Sequence, residues 1–360
     1  MPILYVGTYT RKEGHVNGHG KGIYAYSFHD MTGVLELLEI TENSGTNPSF
    51  VFGSARSILY SVNECNEASV LRSGQETGFI TAYKMEKNGK LIQLNRQETG
   101  GTYSCHIALS PNGDFVSVAN YGGGLVLYPV NADGSLAPAS DHHCLEGASL
   151  VNPDRQDASH IHSTAWTSTG LVAADLGTDR IGQYTLDVAT KKLVHEELIT
   201  RPPGSGPRHF ALSPELGVGY VIHELDNTVG VHPLDTKTGK LGHKALQNIS
   251  TLPNNYSGPP PLASDIHISS DNKFVYAATR FSDTIAVYKI LPDTRLEVVE
   301  VIPTHGKTPR DILLYKDFLL AVSQDTNSLD VFRVDKNTGK LTYTGNSIEC
   351  PSPSSMFMAP

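Results

Sequence analysis

Four side chains that are costly to bury without a use, His162, Arg208, Glu224 and Arg280, occupy matching places in a sequence repeat. Their chemistry is complementary. A carboxylate and an imidazole take up and return protons, and a guanidinium fork matches a phosphate or carboxylate with two parallel hydrogen bonds. Brought to one mouth, such a set suits proton transfer on a small anionic molecule. Glu64, Tyr121, Arg310 and Gln324 hold equivalent places in other copies of the repeat, and His160 precedes His162 by two positions; these five are candidate substrate contacts. A plain structural ion pair between Arg208 and Glu224 is the competing reading.

Other chemistries find no footing. His160 and His162 share one face of a strand, as a metal-binding pair would, but the repeat places no third Cys, His or Asp ligand beside them, so no metal is expected. His15, His19, His142 and His143 fall in connecting segments and are read as solvated. There is no G-x-S-x-G elbow, no G-K-[ST] phosphate loop and no H-E-x-x-H helix. The Gly-rich stretch at 13–22 lies between two strands and lacks the strand-to-helix context of a phosphate cradle.

The elements that must position these residues follow from the repeat itself. GPRHFALSPELGVGYVIHE (206–224), YSCHIALSPNGDFVSVANY (103–121) and ASDIHISSDNKFVYAATR (263–280) share one frame, with weaker copies starting near Asn47, Ser159 and Thr308. Each copy has two strands around a tight turn, a third strand such as TIAVYKI (284–290), and a fourth announced by a glycine turn as in MTGVLEL or KNGKLIQL. Six units fit between Asn47 and Gly345. The N-terminus supplies a second strand (3–9) and the C-terminus a first strand (351–358), which together make a seventh unit. This predicts an all-β, seven-bladed β-propeller in one domain over 1–360, with four antiparallel strands per blade and a ring closed by both termini. In that frame strand two closes on Tyr9, Glu64, Tyr121, Leu176, Glu224, Arg280 and Gln324. Strand one opens on Ser49, Cys105, His162, Arg208, Ser264, Arg310 and a serine near Ser354. Both sets lie at the top of the inner strands, on the face that also receives the long connections 10–22, 65–78, 137–158 and 248–262.

Composition is consistent with many short strands: of 360 residues, 39% are hydrophobic and 18% charged, with 33 Gly and 21 Pro spread throughout. The net charge of −9 is not gathered in a tail, and no Lys/Arg run tracks a phosphate backbone, so nucleic acid is not expected as a partner. MPILYVGTYT has no basic segment leading into an apolar one, and no stretch approaches eighteen apolar residues; membrane association is not expected and a cytoplasmic location is. The four cysteines are widely spaced, which argues against a disulfide framework. Nothing in the sequence sets an oligomeric state.

Beyond these readings, the chain resembles the seven-bladed lactonase family of bacterial 6-phosphogluconolactonases and fungal carboxy-muconate cyclases. The resemblance runs the full length and is carried by VGTYT (6–10), VANYGGG (118–124), RQDASHIH (155–162), ADLGTDRIGQY (174–184), GPRHFALSP (206–214), HELDNTVGV (223–231) and YAATRFSDTIAVY (276–288). The extended RQ-x-x-x-H-x-H and YGGG segments place it nearer the bacterial branch. The resemblance implies hydrolysis of a sugar-acid lactone, foremost 6-phosphogluconolactone, with a small anionic substrate and no cofactor. It also implies catalytic roles for His162, Arg208, Glu224 and Arg280: Glu224 or His162 as general base, Arg208 at the oxyanion, and Arg280 as anion clamp. Two departures stand out, Ser159-His160-Ile161-His162 where the family has Pro-His-x-His, and Thr279-Arg280 where it has Asn-Arg. A muconate-type cyclase on the same scaffold and a non-catalytic interaction propeller are the alternatives; the lone Trp166 and the lack of repeated Trp-Asp pairs speak against the latter.

Overall fold

The computed structural model describes all 360 residues, the side chains of His195 and Glu196 excepted. Its strands form seven main antiparallel sheets, the blades of a propeller, and no helix occurs among the described residues. Blade 1 combines the termini in the order Pro353–Met358, Ile3–Thr8, Ile23–Phe28, Leu35–Thr41. Leu4 pairs with Met358 and Val6 with Met356, as the phase of the repeat predicts. Blades 2 to 7 follow in chain order, with innermost strands Phe50–Ser54, Thr102–Leu109, Ile161–Trp166, Pro207–Ser213, Leu262–Ile268 and Pro309–Tyr315.

Packing explains why the middle strands are apolar on both sides. Alternate residues of a strand face opposite ways, and here each face meets a different neighbouring blade. In the second strand of blade 2, Leu59 packs toward Tyr5 and Ile23 of blade 1, whereas Tyr60 and Val62 pack toward Ile107 and Val118 of blade 3. Seven such clusters run round the ring, and the one holding Leu4, Met356, Phe318 and Leu329 joins blade 1 to blade 7. The turn glycines before the outer strands, Gly33, Gly89, Gly134, Gly239 and Gly339, all take positive φ. Removing residues 353–360 deletes an inner strand and opens two sheet edges. The expected result is a melting temperature lower by roughly 10 °C or more, measured by calorimetry; an unchanged melt would contradict closure through the termini.

The outer strands are less regular than the repeat suggests. In blade 5 the fourth strand is split into Lys240–Leu241 and Gln247–Ser250, and in blade 3 it shrinks to Asp141–His143. Segment 65–78 is not a free loop: strands Ile58–Ala68 and Glu76–Met85 continue into it, pairing Glu67 with Thr77. Segment 10–22 likewise folds a hairpin, Lys12–Glu13 with Val16–Asn17. In both, backbone groups over the mouth find partners in each other.

Candidate functional site

A repeated defect in the innermost strands builds the site. In blades 3 to 7 and in blade 1 the register slips by one residue near the top of strand one, and the extra residues are Cys105, His162, Arg208, Ser264, Arg310 and Ser354. A bulge bends the strand and re-aims the side chain it frees. All of these but Ser264, and all the residues closing strand two but Leu176, line a cavity of about 420 Å³ at the top of the channel.

Glu224 is its centre. The residue is fully buried, and Arg208 Nε and Arg280 Nη2 approach Oε2 at 2.9 and 2.8 Å. Arg155 Nη2 donates to Oε1 at 2.5 Å, and Arg155 Nε donates to the Tyr121 hydroxyl at 3.3 Å. Burial alone would raise the Glu224 pKa, but Arg280, Arg155 and Arg208 outweigh it and hold the carboxyl well below its ordinary range. His162 Nε2 lies 4.0 Å from Glu224 Oε2. Burial, reinforced by Arg208, pushes the His162 pKa well below 6.5, so the imidazole is neutral at pH 7. Its Nδ1 is buried without a hydrogen-bond partner among the described residues, which leaves Nε2 as the ring nitrogen on the cavity side.

A second carboxylate sits across the mouth. Glu64 Oε2 accepts from the Tyr9 hydroxyl at 2.8 Å and from Ser49 Oγ at 2.7 Å, and Arg310 Nη2 donates to the same Tyr9 oxygen at 2.7 Å. Among the described residues Arg310 has no carboxylate within ion-pair distance, whereas Arg280 also donates to the carbonyls of Leu262 and Ala263. Gln324 lines the cavity and donates through Nε2 to Asp325. Tyr121 lines it too. His160 does not: it stacks on Tyr121 at 4.2 Å, with Nδ1 on the Tyr121 carbonyl and Nε2 on Asp157, and so supports the wall from behind.

Arg155 and His15 are absent from the repeat frame, because both belong to connecting segments. His15 is exposed as expected, yet it meets Tyr9 edge-on at 5.3 Å and reaches within 3.7 Å of Glu64. Arg155 stands in the RQ-x-x-x-H-x-H stretch, and that motif was its available signal. His143 is also held, by Asp141 at 2.8 Å.

Buried neutral histidines give the fold a pH signature. Burial lowers His106, His162 and His223 well below 6.5 and takes His209 and His232 down to about 4. Below about 6.5 the unfolded chain binds protons that the folded chain refuses, so stability is present above that pH and falls as pH drops from 6.5 toward 4. His267, where Asp265 overcomes burial and raises the pKa, works in the opposite sense. Melting temperatures at pH 7 and pH 5 should show the fall, and a rise at pH 5 would contradict the neutral assignments.

The profile of the family described as seven-bladed β-propeller lactonases matches residues 3–358. A 6-phosphogluconolactonase of Bacillus subtilis is 33% identical over 361 residues, covering 98% of this chain and 96% of its own. A 6-phosphogluconolactonase of Formosa agariphila is 31% identical over 369 residues and covers 99% of each chain. A periplasmic gluconolactonase of Pseudomonas aeruginosa has a structure similar to this one, with a TM-score of 0.89 at 30% identity, covering 100% of this chain and 99% of that one.

Proposed function

Because this chain belongs to the seven-bladed β-propeller lactonase family, enzymes that open cyclic esters with water, we propose that it hydrolyses 6-phosphoglucono-δ-lactone to 6-phosphogluconate around Glu224. The observation that carries the reading is the charge of the deep cavity. Of the four arginines lining it, Arg155, Arg208 and Arg280 are tied to Glu224, whereas Arg310 has no carboxylate within ion-pair distance among the described residues. A guanidinium free of a carboxylate partner favours an anionic substrate, and guanidinium groups fixed in advance around Glu224 favour the oxyanion that forms from it.

In this reading His162 Nε2 takes a proton from water as the water oxygen bonds to the lactone carbonyl carbon. Negative charge moves to the carbonyl oxygen, facing Arg208 and Arg280, which Glu224 holds in place. Collapse breaks the ring C–O bond, and the His162 imidazolium returns its proton to the departing alkoxide. The product is the open hydroxy acid, ionised at neutral pH. Glu224 is a poor base with three guanidinium partners, so its part is to organise them.

The anion grip belongs to Arg310 rather than Arg280, because the Arg280 fork is occupied by Glu224 and two carbonyls. Losing one charge-assisted contact costs about 1.5–3 kcal/mol. Arg310→Gln should therefore raise KM for the phosphorylated lactone by roughly tenfold or more while KM for glucono-δ-lactone stays within about twofold. Equal effects on both lactones would remove Arg310 from phosphate recognition.

A further inference from the structure

Each bulge residue is followed by one more residue of the innermost strand, and in blade 5 that residue is His209, which lines the cavity beside Arg208. We propose that His209 and Asp265 are positioning residues that lock the guanidinium of Arg208 in its working orientation through a fixed imidazole tautomer. The kinetic consequence rests on the lactonase reading above.

The geometry is a relay of four groups. His209 Nδ1 lies 2.8 Å from Asp265 Oδ1. A carboxylate only accepts, so Nδ1 carries the ring proton and Nε2 presents its lone pair. Arg208 Nη1 donates to that lone pair at 3.2 Å and also to the Ser264 carbonyl, while Arg208 Nε donates to Glu224 at 2.9 Å. The planar fork is thus held on both edges. Asp265 is itself fixed, accepting from the Ile312 amide at 3.1 Å and from His267 Nε2 at 2.9 Å. Because Asp265 comes from blade 6, the relay braces an arginine of blade 5 against its neighbour.

Packing alone does not ask for these groups. Phe50 holds the equivalent place in blade 2, which shows that an apolar ring is accommodated. His209 and Asp265 are 7% and 4% exposed, and burying such a pair has no benefit in the transfer of groups from water unless its hydrogen bonds are used. The other ionisable groups facing the pair are His106 and His162, with rings 5.2 and 5.4 Å from His209, and Asp311 beside Asp265. Burial and Arg208 bring His209 down to about 4, so the ring keeps the single proton the relay needs at neutral pH.

Two measurements test the relay. His209→Phe removes the acceptor, whereas the amide oxygen of His209→Gln can still accept from Arg208. The first should lower kcat by roughly 10- to 100-fold with KM within about twofold, and the second by only a few-fold. Equal losses in both, or losses that track melting temperature alone, would overturn the proposal. Independently of turnover, the imidazole ¹⁵N shifts of wild-type protein should show His209 protonated on Nδ1 at pH 7, and Asp265→Asn should shift the ring toward the Nε2–H form. A wild-type ring protonated on Nε2 overturns the relay whether or not the protein turns over any lactone. Absence of lactone turnover combined with an Nδ1–H ring would instead refute only the lactonase reading.

Discussion

Glu224→Gln should lose lactone hydrolysis by about a thousandfold or more, the scale of losing preorganised oxyanion donors. It should also lower stability by about 3–5 kcal/mol, the cost of leaving buried charges uncompensated. The change is nearly isosteric, so the effect isolates charge from shape. An amide cannot neutralise three guanidinium groups, and its NH₂ end faces donors at Arg155 or at Arg208 and Arg280. Arg208→Lys supplies the contrast: it keeps the charge but loses the fork that reaches Glu224, His209 and Ser264 together. If the cluster were only a structural ion pair, both variants would melt early yet turn over normally per folded molecule. Acid should act in the same direction as Glu224→Gln. The Glu224 carboxyl is held well below 4.5, so its stabilisation is fully present above that pH and fades as pH falls toward the lowered folded value.

His162→Ala should cost about 10²–10⁴ in kcat, the range for removing a general base, with little change in melting temperature. The small structural cost follows from its contacts: Nδ1 has no hydrogen-bond partner among the described residues, and Nε2 stands 4.0 Å from the nearest Glu224 oxygen. A pH profile adds a second check. The base must be neutral to act, and burial depresses the folded pKa well below 6.5, so activity should hold steady from pH 8 to pH 6 and decline only in stronger acid. Wild-type rates in His162→Gln, or an acid limb centred at 6.5, would assign the proton to another group.

The blades were legible in the sequence because every unit solves the same packing problem and marks its outer strand with the same turn. The two rings of candidate residues were legible for the same reason, since a shared frame assigns each position a height in the channel. The relay beneath them was not. In a regular strand Arg208 and His209 point to opposite faces, and only the bulge at Pro207/His209 directs both toward the channel. One sequence gives no sign of that extra residue. Arg155 and His15 escape for a different reason, because the paths of segments 144–160 and 10–22 are set by tertiary contacts and not by periodicity. Arg280 shows the remaining gap: its position was apparent, but its fork could not be known to be occupied until Glu224 and the carbonyls of Leu262 and Ala263 were seen around it.

The most direct test is the steady-state rate at which the purified protein opens freshly prepared 6-phosphoglucono-δ-lactone at pH 7, corrected for spontaneous hydrolysis and compared with glucono-δ-lactone. A channel-mouth lactonase with arginines lining its cavity should reach a kcat/KM of about 10⁴ M⁻¹ s⁻¹ or more on the phosphorylated lactone, and prefer it by roughly tenfold or more through Arg310. No acceleration of either lactone would contradict the account, and a preference for glucono-δ-lactone would contradict its assignment of the phosphate.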